Sequence, residues 1–187
     1  MAEHRFLALG FPFLPTDRLR NSAPPDGKPR LPLVVTERTA NALRLTAVDA
    51  GAAKLGLFPG MALTDARARV ERLEVATAAP EHDVALLKRL AHWCERYTPL
   101  VAFDEPHGLM LDITGCAHLF GGLDAMRADA IRRLERAGLG VQAAIADNSF
   151  AARLLARRTK GSVFSRAEAD RLLPRLPLSA LELTQAA

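Results

Sequence analysis

The sequence predicts an α+β fold: an antiparallel sheet with two helices on one face, a ferredoxin-like sandwich, carrying an inserted small α/β subdomain. Three observations predict it. The later part of the chain reads helix, strand–turn–strand, helix, strand. A short apolar run near the start, "RFLALGF" (Arg5–Phe11), fits one more buried strand. Between them lie short strand and helix segments broken by Pro and Gly, which read as an insert from Thr16 to about Ala76.

Taken in order, Pro12 and Pro15 end the first strand. "TDRLR" opens a helix with Thr16 as N-cap. "NSAPPDGKPR" is a loop by composition, and "LPLVVTE" and "LRLTAVD" are strands. "DAGAAKLGLFPGM" gives a short helix ending near Gly56 and a turn at Pro59-Gly60. "LTDARARVERL" is a helix with Thr64 as cap, and "EVATAA" a strand. A long helix runs from about Glu81 to Tyr97, with Val84, Leu87, Leu90, Ala91 and Cys94 on one stripe. That stripe makes Cys94 a core residue. Two strands then flank a turn within "YTPLVAFDEPHGLMLDITG" (Tyr97–Gly115), with Asp104-Glu105 just before the bend. "LDAMRADAIRRLERAG" is an amphipathic helix ended by Gly138. "VQAAIAD" is a strand, "NSFAARLLARR" a helix and "GSVFS" a short strand.

Composition narrows the class. With 187 residues, 49% hydrophobic and 25% charged, the chain suits a soluble globular protein with one core or two small ones. A net charge of +4 permits nucleic-acid contact without requiring it. Cys94 and Cys116 lack metal-ligand spacing and read as reduced thiols of a cytoplasmic protein. No apolar run approaches the roughly 18 residues of a membrane helix, and no signal-peptide pattern opens the chain. The last residues, "LPRLPLSALELTQAA", supply no clear closing element, so the chain is expected to be the front part of a longer protein.

The stretch "YTPLVAFDEPHGLMLDITGCAHLFGG" resembles the palm of Y-family (UmuC/DinB-like) translesion DNA polymerases. The likeness extends through "KLGLFPGM" and "AIADNSFAARLLARRTKG" and so covers most of the chain. It implies a palm at residues 1–12 and 77–166, a fingers subdomain at 13–76, and at 167–187 the start of a thumb or a C-terminal tail. In that family, two magnesium ions about 3.5–4 Å apart bridge primer hydroxyl and triphosphate. Hard cations want oxygen ligands, which carboxylates supply. The resemblance places these carboxylates on the first strand and as an Asp-Glu pair at the hairpin.

Here the spacing departs from the family. Anchored on Tyr97-Thr98-Pro99 and Leu111-Asp112-Ile113-Thr114-Gly115, with no gap, the Asp-Glu positions fall on His107 and Gly108. Asp104 and Glu105 come three residues early, a displacement of roughly 10 Å along a strand and onto its other face. The first-strand acid position falls on Gly10 or Leu9. The Tyr and Arg that hold the triphosphate align with Ala50 and Ala53, and the sugar-screening aromatic with Pro15. The phosphate-binding Lys aligns with Lys160.

This set of losses is similar to the ImuB branch, with "PTDRLR", "WCERYTPLVAFD" and "LMLDITGCAHLFGG" carrying the likeness. The branch implies a non-catalytic scaffold or adaptor of damage-induced (SOS) mutagenic translesion synthesis. Its implied partners are a RecA-like accessory protein, an error-prone C-family DNA polymerase and the sliding clamp, the last through a region beyond residue 187. No metal and no cofactor are expected, magnesium only if the chain is active. Two alternatives stay open: an active polymerase using relocated Asp104 and Glu105, and a nucleic-acid-binding module without activity. Arg153, Arg157, Arg158 and Lys160 are candidate phosphate or DNA contacts, against a plain solvated face. Asp104 and Glu105 otherwise read as turn and edge-strand charges, and His107 as a solvated turn residue. Asp112 reads as the cap of the "ITGCAHLF" turn, and Arg132, Arg133 and Arg136 as surface.

Overall fold

The computed structural model of the protein describes residues 4–22, 29–158 and 162–175. In chain order its elements are β1 (Phe6–Gly10), α1 (Leu14–Ser22), β2 (Leu33–Thr39), β3 (Ala42–Val48), α2 (Ala50–Lys54), α3 (Leu63–Arg69), β4 (Glu74–Thr77), α4 (Pro80–Cys94), β5 (Val101–Asp104), β6 (Gly108–Asp112), α5 (Leu123–Arg136), β7 (Gln142–Ala146), α6 (Ser149–Arg158) and α7 (Arg166–Leu172). They divide into two compact units. One takes Met1–Pro12, Leu87–Ala137 and Val141–Ala187; the other takes Phe13–Leu86 with Gly138–Gly140.

The first unit holds a four-stranded antiparallel sheet in the order β5-β6-β1-β7. Strand side chains alternate between faces. Phe6, Ala8, Met110, Ala144 and Ala146 lie on the face covered by α6, packed with its Ala151, Ala152, Leu155 and Ala156. Leu7, Leu9, Leu109, Leu111 and Ile145 therefore look the other way, and all are buried. α5, with buried Met126, Ala130 and Leu134, packs against β7, and α4 buries Leu87, Leu90 and Cys94. Burial pushes the Cys94 thiol up to about 12, as befits a core thiol.

The second unit is built on a three-stranded sheet in the order β3-β2-β4, with β4 parallel to β2. Val34, Leu45, Val48, Ala52, Met61 and Ala66 form its core. Asp49 ties the unit together. Its carboxylate accepts from Ala52 N at 2.7 Å, capping α2, and from Leu33 N at 3.1 Å, at the start of β2. The Arg20 guanidinium on α1 donates to the same carboxylate at 2.9 Å and to Glu74 on β4 at 2.6 Å.

Several local expectations need correction. Thr16 is no N-cap: α1 starts at Leu14, and the Thr16 hydroxyl donates back to Phe13 O at 2.9 Å. Pro15 fits the first helical turn, where its missing N–H costs nothing. Thr64 also lies inside its helix, after the N-cap Ala62. Val84 is 51% exposed, so the buried apolar stripe of α4 begins only at Leu87, with the buried Asp83 one turn before it. Of the "GSVFS" strand only a parallel bridge between Val163 and Ile145 forms. Among the described residues, no helix is long and apolar enough to cross a membrane.

The β2–β3 hairpin turns on Ala40 and Asn41, with φ of 47° and 65°, between the paired Thr39 and Ala42. Two left-handed residues in a two-residue loop want Asn-Gly, and Ala carries a Cβ penalty there. Ala40→Asn combined with Asn41→Gly is expected to stabilise the chain by about 1 kcal/mol, read as a higher urea midpoint at unchanged slope.

Candidate functional site

Strand register brings the family-implied positions together at one end of the first unit's sheet. Gly10 on β1 pairs with Gly108 on β6 and with Gln142 on β7. On the other side of β6, Gly108 pairs with Asp104, the last residue of β5. The His107 carbonyl accepts from Phe11 N at 2.8 Å, closing the same end. One row thus runs Asp104, Gly108, Gly10, Gln142 across all four strands.

This register corrects the expectation that Asp104 lies about 10 Å off and on the wrong face. The hairpin folds β5 back along β6, so sequence separation does not become distance. Asp104 stands one strand spacing, about 5 Å, from Gly108. Directly paired residues share a face. Asp104 therefore looks toward α6, as side chains at Gly10 and Gly108 would. His107 is half-buried and does not stand as a freely solvated turn residue.

α6 delivers two cations to this row. Asn148 caps the helix, its Oδ1 accepting from Ala151 N at 2.8 Å. Alanines on both the helix and the sheet allow close approach. Arg153 and Arg157 are four residues apart and lie on one helix face. Arg153 Nη1 meets Asp104 Oδ1 at 3.3 Å and Arg157 Nη2 meets Asp104 Oδ2 at 3.2 Å. Arg157 Nη2 also donates to the Glu105 carbonyl at 3.1 Å. The Asp104 and Arg157 side chains are only 12% and 15% exposed, Arg153 36%. The Glu105 residue is exposed, and only its backbone carbonyl joins the cluster. Of the two remaining basic candidates, the Arg158 side chain and Lys160 lie outside the described residues.

The two glycines differ in what they tolerate. A Cβ on Gly108 would stand 2.7 Å from Asp104 O and 3.2 Å from Leu9 O, both backbone. The hairpin as folded needs glycine there. A Cβ on Gly10 meets nothing nearer than Arg157 Cγ and Gln142 O at 3.9 Å. Ala50 and Ala53, at the triphosphate-side positions, are exposed on α2 with methyl groups and no polar reach.

Two further polar clusters organise the first unit. Asp112 Oδ1 accepts from Thr114 N at 3.0 Å, the turn-capping role expected of it. Bonds from Thr114, side chain first, hold the Asp112 carboxyl below its ordinary range despite some burial. Tyr97 donates its hydroxyl to Asp129 at 2.8 Å, and Asp129 also takes Arg132 and Arg133. Burial, and then Asp129, push the Tyr97 hydroxyl upward in pKa, so it stays a donor. Arg132 and Arg133 are half-exposed helix-surface groups, as expected, with Asp129 as shared partner.

The convergence of Arg153 and Arg157 on Asp104 was not read from the sequence. Their spacing of four hinted at a shared face; only the sheet register named the acid they meet.

Two outcomes follow. Asp104→Ala leaves two guanidiniums without their carboxylate and is expected to cost about 2–3 kcal/mol, whereas Glu105→Ala stays within about 0.5 kcal/mol, both from urea titrations. Asp112 has a folded pKa below its unfolded value, so its stabilisation is full above about pH 4 and is lost as pH falls through the folded value. Asp112→Asn should flatten that acid limb of the melting-temperature profile.

The impB/mucB/samB family model matches residues 28–157. Protein ImuB of Caulobacter vibrioides (strain NA1000 / CB15N) is 44% identical over 134 residues, which cover 71% of this chain and 29% of that protein. This chain therefore spans less than a third of that curated relative. Among solved structures, a post-insertion binary complex of Dbh DNA polymerase is similar at a TM-score of 0.76 and 18% identity, over 94% of this chain and 52% of that one. A Y-family DNA polymerase chimera of Dbh and Dpo4 gives 0.75 at 18%, over 94% and 53%. DinB from Sulfolobus solfataricus gives 0.71 at 16%, over 94% and 52%. The chain belongs to the impB/mucB/samB family and has the palm-and-fingers fold of Y-family DNA polymerases.

Proposed function

We propose that this chain is the palm and fingers of a catalytically inactive, polymerase-like scaffold in damage-induced translesion DNA synthesis. The observation that carries the reading is the row at the end of the sheet. Two of its four positions, Gly10 and Gly108, have no side chain, and its one carboxylate, Asp104, is already bonded to two guanidiniums. Two-metal phosphoryl transfer needs several anionic oxygens converging on a pair of dications. One carboxylate paired with two arginines does not fit that demand. Burial of the sheet does not depend on those acids, which is why the frame can persist without them. The 44% identity to Protein ImuB supports placing the chain with that branch.

On this reading the docking partners are a RecA-like accessory protein and an error-prone C-family polymerase, in the cytoplasm. A sliding clamp would bind through a region beyond residue 187. Relocated catalysis by Asp104 and Glu105 is the rival, and the Asp104–arginine pairing weighs against it.

Primer extension on damaged and undamaged templates, with magnesium or manganese, tests the reading. The expected result is no incorporation above the polymerase-free control. Incorporation that Asp104→Ala abolishes would overturn it. Primer-template binding that falls steeply with salt, without incorporation or partner capture, would instead favour a nucleic-acid-binding module.

A further inference from the structure

We infer that Arg157 acts as an internal cation: its guanidinium holds the place and the charge that a divalent ion would need beside the Gly10–Gly108 row. The inference rests on the inactive reading above and extends it. On that reading, too few carboxylates remain to grip a metal. It leaves open what balances Asp104 and what fills the space over Gly10.

Arg157 does both. Its stem passes over Gly10, with Cγ 3.9 Å from where a Cβ would be. Its Nη2 bonds both Asp104 Oδ2, at 3.2 Å, and the Glu105 carbonyl, at 3.1 Å. A carboxylate and a carbonyl are the oxygen donors a hard cation would seek, and here a guanidinium takes them. Its side chain is 15% exposed, so the charge is little screened by water. Arg153 adds a second positive charge on the other Asp104 oxygen, at 3.3 Å. Two guanidiniums on one carboxylate put positive charge where a dication would have to sit, which repels it. The hairpin is a further obstacle at Gly108, where any Cβ meets the Asp104 carbonyl oxygen at 2.7 Å. Gly10 has room, so on β1 an acid can be added without rebuilding the turn.

A restored acid on β1 should therefore meet Arg157 first. Gly10→Asp alone is expected to form an ion pair and to leave the chain without saturable Mn²⁺ binding. Gly10→Asp combined with Arg157→Gln releases Asp104 Oδ2 and the new carboxylate together, with Arg153 still on Asp104 Oδ1. Free Mn²⁺, counted by electron paramagnetic resonance during titration of the chain, reports the outcome. The double variant should bind at least about tenfold tighter than Gly10→Asp alone. Equal binding by the two would overturn the inference, and so would no gain in a folded double variant. A second measurement needs no loss of Arg157: Gly10→Asp should melt higher than Gly10→Asn, because only the carboxylate pairs with the guanidinium. A lower melting temperature for Gly10→Asp would also overturn it, even if the double variant fails to fold. These arms leave the scaffold reading separately testable. Nucleotide incorporation by the unsubstituted chain sinks that reading whatever the variants bind, while tight Mn²⁺ binding by Gly10→Asp alone sinks only the role of Arg157.

Discussion

The pairing of β1 with both β6 and β7 is the constraint on which the first unit depends. Its five residues are hydrogen-bonded on both edges, in register from Phe6 to Gly10. A slip of one residue would send Leu7 and Leu9 to the α6 face and strip the opposite core of its largest side chains. That same register sets Gly10 against Gly108, and through β6 it sets Gly108 against Asp104. The geometry of the row is therefore a by-product of core packing. It holds whether or not the row carries ligands.

The helix above the row follows from small residues. Ala8, Ala144 and Ala146 on the sheet meet Ala151, Ala152 and Ala156 on α6. Larger side chains at these contacts would lift the helix and withdraw its arginines from the sheet end. With alanines, Arg157 reaches the Asp104 carboxylate while its stem stays buried. An acid at the end of an edge strand is ordinarily an exposed charge that discourages strand addition. Asp104 is instead largely buried, and its two arginines satisfy the cost of burying it. The cluster thus makes this end of the row a closed ionic contact.

The second unit has its own anchor. Asp49 caps α2, receives the N–H of Leu33 and pairs with Arg20, which reaches on to Glu74. The positions just after it, Ala50 and Ala53, are exposed methyl groups on a short helix. The structural polar groups at this helix start are buried or paired, while Ala50 and Ala53 offer only methyl groups to solvent. Both units thus have polar groups that hold backbone in place, Asp49 in one and Asp112 in the other.

The sequence alone determined the order of strands and helices from β1 to α6, the core stripe ending at Cys94 and the role of Asp112, but not α7 or the lone bridge at Val163. What it determined is legible because periodicity, turn residues and motif spacing are local properties of the chain. Helix starts were less legible, since Thr16 and Thr64 carry cap chemistry but Pro15 and Leu63 join their helices first. What only the tertiary structure decided is the fate of Asp104. Along the chain it is three residues from the position an acid would need, yet a hairpin converts that separation into direct opposition. Distance in a sheet is set by register, and register is set by which faces are buried. The partners of Asp104 come from a helix about 50 residues further on, which no local pattern could assign.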